Sequence, residues 1–205
     1  MKVEVFPDVY EPAEDSEMLA EYTKKLKGRI LDMGCGCGIV DLTNAAINKN
    51  NFVDGCDVNE KAVKNAKHNA KINRIKNVNF FVGDLFSTIP KNKKYDWIVF
   101  NPPYLPTTRD ERIKGGLNAA FDGGRSGRKI LDRFLRECRK YLKKSGGIVL
   151  VSSSLNNHEK TVKMLDDAGF KVEILDEKKM FFEKLYVVKA KPEGLKALYK
   201  HSRIL

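Results

Sequence analysis

The tetrapeptide Asn101-Pro102-Pro103-Tyr104 ends the apolar run YDWIVF (95–100) with an unusual division of polar groups. Asn101 and Pro102 each precede a proline, which confines both to extended backbone. Pro102 and Pro103 lack N–H groups, so the Asn101 side-chain oxygen and the Pro102 carbonyl stand as the local acceptors. Two convergent acceptors match a planar NH2 group, and Tyr104 can lie against its flat face. The chemistry this suits is alkylation of a planar primary amine or amide. Its nitrogen is a poor nucleophile because the lone pair is delocalised. Acceptors on both protons favour rehybridisation, and holding nitrogen in line with an incoming carbon at about 3 Å supplies several kcal/mol more. Asn101, Pro102 and Tyr104 are the expected catalytic residues, with Pro103 completing the substrate cradle.

A second cluster lies upstream. ILDMGCGCGIV (30–40) reads as a strand running into Gly34, Gly36 and Gly38 and then a helix, where glycines let the backbone turn sharply and approach a ligand. A dinucleotide fingerprint needs glycine at its first, third and sixth positions, but residue 39 is Ile. Asp32, just before the loop, suits a cationic ligand better than a pyrophosphate. Asp57, 25 residues after Asp32, falls where a carboxylate accepts from ribose hydroxyls. Asp84, in GDLF, can accept from an adenine amine, with Leu85 and Phe86 flanking the ring. A ligand with adenine, ribose and a positive charge but no phosphate is described by these residues, and S-adenosyl-L-methionine fits.

Positioning these groups requires a sheet. Candidate strands are 29–33, 52–58, 78–85, 96–103 and 147–154, alternating with helical patterns, the signature of a mostly parallel sheet with helices on both faces. The clearest helix is predicted over 127–144, stopped by Gly146-Gly147, and another over 158–168. KVEILDE and FFEKLYVVKAK follow without an intervening helix and should pair as an antiparallel hairpin at the sheet's end. The connection 104–126 is long enough to be functional. The tail from Pro192 reads as a basic short helix or a frayed end.

Composition sets the outer bounds. At 205 residues, 42% hydrophobic and 32% charged, the chain is expected to form a single globular domain over 1–205. No run approaches the roughly 20 apolar residues needed to cross a bilayer, so a cytoplasmic location without membrane contact is expected. Cys35, Cys37, Cys56 and Cys138 lack metal or disulfide spacing and read as packing residues. His68, His158 and His201 look exposed and receive no role, and no metal site is expected. The net charge of +11 favours an acidic partner. Lys61, Lys64, Lys67, Lys71 and Arg74 form one helix face opposite Val63, Ala66 and Ala70, which reads as a solvated outer face.

DVYEPAEDSEML (8–19), DMGCGCG, GDLF, NPPYLPT (101–107) and AAFDGGRSGRKILDRFL (119–135) together resemble, over essentially the full length, the HemK/PrmC branch of class I methyltransferases, and specifically its archaeal and eukaryotic release-factor glutamine methyltransferases. The resemblance implies a Rossmann-like fold with a seven-stranded, mostly parallel α/β sheet and an antiparallel C-terminal hairpin. It implies methylation of the glutamine amide in the Gly-Gly-Gln motif of a class 1 peptide-chain release factor. By position, Ser16, Asp32, Gly34, Asp57, Asp84 and Leu85 would bind the cofactor, together with the glycines Gly36 and Gly38 and with Asn101. Asn101, Pro102 and Tyr104 would hold the glutamine. A heterodimer with a small zinc-binding activator is also implied. VNFFV puts Phe80 and Phe81 on opposite faces of a strand that usually lies at the sheet edge in this fold, and such an edge invites strand addition by a partner. No counterpart of the bacterial members' N-terminal substrate-binding domain is expected, so the activator and residues 104–126 are expected to do more of the recognition. Asn-Pro-Pro-Tyr also marks many DNA and RNA amino-methyltransferases, so methylation of an exocyclic amine on nucleic acid is the alternative.

Overall fold

The computed structural model describes residues 1–108 and 117–193. Seven strands form one sheet in the order β3-β2-β1-β4-β5-β7-β6. They are β1 (Arg29–Met33), β2 (Phe52–Asp57), β3 (Val78–Val82), β4 (Tyr95–Phe100), β5 (Leu142–Ser153), β6 (Phe170–Lys179) and β7 (Lys184–Pro192). The first five run parallel, and β7 is antiparallel to both β5 and β6. Among the described residues the α-helices are α1 (Glu14–Thr23), α2 (Ile39–Ile47), α3 (Glu60–Ile72), α4 (Asn118–Phe121), α5 (Lys129–Glu137) and α6 (His158–Asp167).

Strand alternation sorts the core into two layers. Ile30, Val99 and Val149 face α1, α2 and α3 through Leu19, Leu42, Ala45, Val63 and Ala66. Leu31, Ile98 and Ile148 face the other way, against Leu131, Phe134 and Leu135 of α5 and Leu165 of α6. Central strands are therefore apolar on both sides, which is why they read as continuous hydrophobic runs. The lysine face of α3 is exposed, as its period requires. Arg74 lies just beyond that helix in a left-handed conformation, φ 57°.

Several boundaries differ from the sequence reading. The helix over 127–144 ends at Glu137, continues as a 3-10 turn to Tyr141 and gives way to β5 at Leu142. Leu142 pairs with Tyr95, so the last apolar residue that continues the helical period belongs to the sheet while Cys138 and Tyr141 lie in the 3-10 turn, and Gly146-Gly147 lies inside β5 instead of stopping a helix. The third strand stops at Val82, which leaves Asp84 and Leu85 in the following loop. Phe181 and Phe182, read as the start of the last strand, form the turn between β6 and β7. Within the 104–126 connection Leu105 bridges Asp122, and α4 spans Asn118–Phe121. Residues 109–116, His201 and the tail beyond Glu193 lie outside the described residues.

His158 is also buried, at 8% exposure, with its ring stacked on Tyr186 at 3.8 Å. The local sequence is polar, and the partner that covers it comes from β7. His68 is half-buried against Glu4. All four cysteines are buried and free, and burial pushes the thiols of Cys37 and Cys56 up to about 11 and about 12.

Candidate active site

Strand order reverses between β1 and β4: the chain leaves β1 towards β2 and β3, then returns to β4 on the other side. Open α/β sheets bind ligands at the carboxyl ends of strands at such a point. Here the glycine loop leaves β1 and Asn101 leaves β4, and a cleft of about 440 Å³ opens over both. Asn101, Pro102, Pro103, Tyr104, Ser16, Asp32, Gly34, Gly36, Asp57, Asp84 and Leu85 all line it. Gly38 stands behind the wall as the residue before α2, where an added Cβ would meet Ala66 at 3.1 Å. Phe86 is the exception. Its ring stacks on Tyr141 at 4.4 Å inside the core, because Leu85 at φ 50° turns the chain so that only Leu85 faces the cleft.

The glycines have left-handed φ of 73°, 54° and 86° at positions 34, 36 and 38, accessible to glycine at little cost. Their N–H groups are already engaged. Gly34 and Cys35 donate to the Cys56 carbonyl at 2.7 and 3.1 Å, Gly36 to Asp57 Oδ2 at 2.9 Å, and Gly38 to the Cys35 carbonyl at 2.8 Å. A phosphate would compete for those donors, whereas a ligand without phosphate need not. Asp57 Oδ1 also accepts from the Asn59 N–H at 2.8 Å, so one carboxylate fixes both the loop and the strand end while keeping lone pairs for a ligand. Asp84 pairs with Arg133 at 2.9 Å across the cleft rim.

Asn101 donates from Nδ2 towards Ser16 Oγ at 3.5 Å, while its Oδ1 is buried with no donor. A buried acceptor left unpaired costs free energy comparable to a lost hydrogen bond. Here it is an acceptor with free lone pairs on a residue that lines the cleft. Sequence reasoning did not find what holds it. Asp15, 4% exposed at the start of α1, accepts from the Ser16 N–H at 2.6 Å, from Ser16 Oγ at 3.1 Å, from Tyr10 Oη at 3.0 Å and from Tyr104 Oη at 3.4 Å. Burial, reinforced by Asp15, raises the Tyr10 and Tyr104 hydroxyls well above their ordinary pKa, so both remain donors. Glu183 from the β6–β7 turn and Phe121 from α4 complete the walls, the latter edge-on to Tyr10 at 5.3 Å. Behind Tyr104, the segment after α4 is held by Arg128, whose guanidinium donates to the Asn156 and Asn157 carbonyls at 2.6 and 2.9 Å.

Asp32 is fully buried beside Asp41 of α2, a second residue the sequence pattern concealed. Both Asp41 oxygens are buried with no hydrogen-bond partner, and the two acids titrate as a pair, because burial and their mutual repulsion disfavour charging both. Burial pushes the Asp41 carboxyl up to about 7, and burial with the Asp41 charge raises Asp32 well above the carboxylate range. A carboxyl whose folded pKa is raised holds its proton in the folded state, so stability is lost as pH rises from the unfolded value of 3.8 through about 7. Asp41→Asn is therefore expected to be more stable than wild type at pH 8 by on the order of 1–2 kcal/mol, about 4 °C in Tm, with the gain shrinking towards pH 4. Thermal unfolding of the ligand-free protein against pH measures this, and identical pH profiles for the two proteins would refute it.

This fold and this site define a class I, Rossmann-like methyltransferase that uses S-adenosylmethionine. The residues fit that group: the cleft carries acids at Asp32, Asp57 and Asp84, and the glycine loop withholds its N–H groups from phosphate. The methyltransferase small domain matches residues 11–114, and the chain belongs to that family, in its HemK/PrmC branch. It is 46% identical to the putative protein N5-glutamine methyltransferase of Methanocaldococcus jannaschii, covering 93% of this chain and 95% of the relative. It is 34% identical to mouse methyltransferase HEMK2, covering 80% of each. Among solved structures, the E. cuniculi Mtq2–Trm112 complex, described as responsible for methylation of the eRF1 translation termination factor, superposes with a TM-score of 0.68 at 28% identity, covering 91% of this chain and 99% of that one. Among the described residues, no helix is long and apolar enough to cross a membrane.

Proposed function

We propose that this chain N-methylates the side-chain amide of the glutamine in the Gly-Gly-Gln motif of a class 1 peptide-chain release factor. The observation that carries the reading is the buried, unpartnered Asn101 Oδ1 in the cleft at the switch point. The names of the relatives support the glutamine and the termination factor. Asn101 Oδ1 accepts one amide N–H, the Pro102 carbonyl the other, and the Tyr104 ring bounds the amide plane. When bound, S-adenosylmethionine supplies an electrophilic methyl group. Ser16, Asp32, Gly34, Gly36, Asp57, Asp84, Leu85 and Asn101 would hold it, with Gly38 behind them shaping the loop into α2. The nitrogen loses one proton to solvent as it gains carbon, and the paired acceptors keep its lone pair directed until then.

The activator fits the same reading. Among the described residues β3 pairs only with β2, and it carries Val82 at 43% exposure beside Phe81. A small zinc-binding partner adding a strand there would form the heterodimer and cover that edge. Nucleic acid is the weaker substrate. Although the chain is basic overall, the cleft is lined by Asp15, Asp32, Asp57, Asp84, Asp122 and Glu183 against Lys129 and Arg133, which repels a phosphate backbone.

The enzyme and its activator, given labelled cofactor and purified release factor, should label the wild-type factor and leave one with the Gly-Gly-Gln glutamine replaced unlabelled. Equal labelling of the two would eliminate the proposal. Nuclease-sensitive incorporation into total nucleic acid would favour the alternative.

A further inference from the structure

Phe181 and Phe182 are 91% and 85% exposed, more than any other large apolar side chain among the described residues. They are the two central residues of the β6–β7 turn, closed by a hydrogen bond from the Met180 N–H to the Glu183 carbonyl at 2.8 Å. Their rings meet edge to face at 4.6 Å. Neither has a left-handed φ, and two-residue hairpin turns favour glycine and asparagine, so turn chemistry does not account for a pair of phenylalanines. Core packing does not account for them either, since both rings stand in solvent.

Their position is informative. Glu183, the next residue, turns inward, accepts from Ser153 Oγ and lines the cleft that contains Tyr104 and Asn101. At about 3.3 Å per residue, the aromatic tip stands within about 7 Å of the cleft wall along the chain. Exposed Lys178, Lys179 and Lys184 flank it. The β3 edge lies at the far end of the sheet, six strand spacings away or about 29 Å, so a partner added there would leave the tip uncovered. Nucleic acid bases could stack on phenylalanine, but Glu183 adjoins the tip and it and Asp122 line the neighbouring cleft, which disfavours a phosphate backbone there.

We propose that Phe181 and Phe182 are an anchor for the protein substrate, entering an apolar depression with an acidic rim on the release factor close to its methylated loop. The inference rests on the substrate reading above and deepens it: the cleft selects the amide, and the tip selects the protein that presents it. Anchors of this kind, aromatic and close to the centre of an interface, concentrate binding energy.

The test compares the enzyme–activator complex carrying Phe181→Ala and Phe182→Ala with wild type, on intact release factor and on a short synthetic peptide containing the Gly-Gly-Gln loop. The expected result is a KM for the intact factor raised at least about 10-fold, with kcat and the peptide KM unchanged. An unchanged KM for the intact factor would overturn the inference, and so would an equal loss on the peptide. A change confined to sedimentation would assign the tip to self-association, loss of activator binding would assign it to that subunit, and loss of salt-dependent RNA binding alone would assign it to nucleic acid; each refutes the proposal. If the wild-type complex labels neither factor nor peptide, the substrate reading itself has failed, an outcome distinct from labelling that is indifferent to the tip.

Discussion

Asn101→Ala is expected to lower kcat on the release-factor glutamine by about 10²–10³-fold, the usual cost of removing one aimed polar group from a reacting centre. Affinity for S-adenosylhomocysteine should change far less. The Oδ1 of Asn101 is buried without a donor in the ligand-free chain, so the penalty of desolvating it is already present and is relieved when an amide N–H arrives. That N–H becomes more acidic as its nitrogen gains carbon, so the bond strengthens towards the transition state and acts on kcat more than on binding. The Nδ2 contact to Ser16 is long, at 3.5 Å, and its loss contributes little. Asp57→Ala should do the reverse. Its carboxylate accepts from Gly36 and Asn59, so truncation frees the glycine loop and weakens cofactor binding, with a smaller effect on turnover at saturation. Single-turnover rates and calorimetry on both variants separate the two effects. Turnover unaltered by Asn101→Ala, with cofactor affinity lost instead, would refute the assignment.

The sheet was legible in the sequence wherever a strand is buried on both faces and bounded by glycine or aspartate, as in RILDM and FVDGCD. It was less legible where two periods coincide. Tyr141 and Leu142 continue the apolar stripe of α5, and only the pairing of Leu142 with Tyr95 shows that the sheet claims it. Side-chain direction was hidden at Leu85, because nothing local announces a left-handed leucine, and that single φ sends Phe86 into the core. Asp41 looks in sequence like an ordinary acid in the first turn of α2. Its proximity to Asp32, and to Gly55, where a Cβ would stand 2.7 Å from Asp41 Oδ1, exists only after β1, β2 and α2 pack. The residues that line the cleft were readable because glycine spacing and strand-end carboxylates carry their chemistry in residue type. Asp15 and Glu183 were not, because they reach the site from α1 and from the C-terminal hairpin, both far from Asn101 in the chain.

Asp15 is the strongest case of such a group, and Asp15→Ala is expected to lower kcat/KM for the glutamine substrate by about 10²-fold. The carboxylate receives hydrogen bonds from both tyrosines and from Ser16, and Ser16 Oγ is in turn the partner of the Asn101 amide. Losing a buried acceptor that satisfies several donors costs more than one neutral hydrogen bond, at about 1.5–3 kcal/mol for a charged acceptor. The consequence for the reaction is orientational. Without Asp15, Tyr104 loses its hydroxyl partner and Ser16 can rotate away from Asn101 Nδ2, so Oδ1 is no longer held towards the incoming N–H. Glutamate at this position, one methylene longer, would move the acceptor within a site that is 4% exposed and should rescue little. A purely structural role for Asp15 would lower Tm and leave kcat intact in the folded fraction. An orienting role predicts a reduced single-turnover rate at temperatures where the variant is fully folded, with an Asn101→Ala/Asp15→Ala double variant little slower than Asn101→Ala alone. Additive losses in that cycle would show that the two residues act independently and would rule out positioning of Asn101 through Asp15.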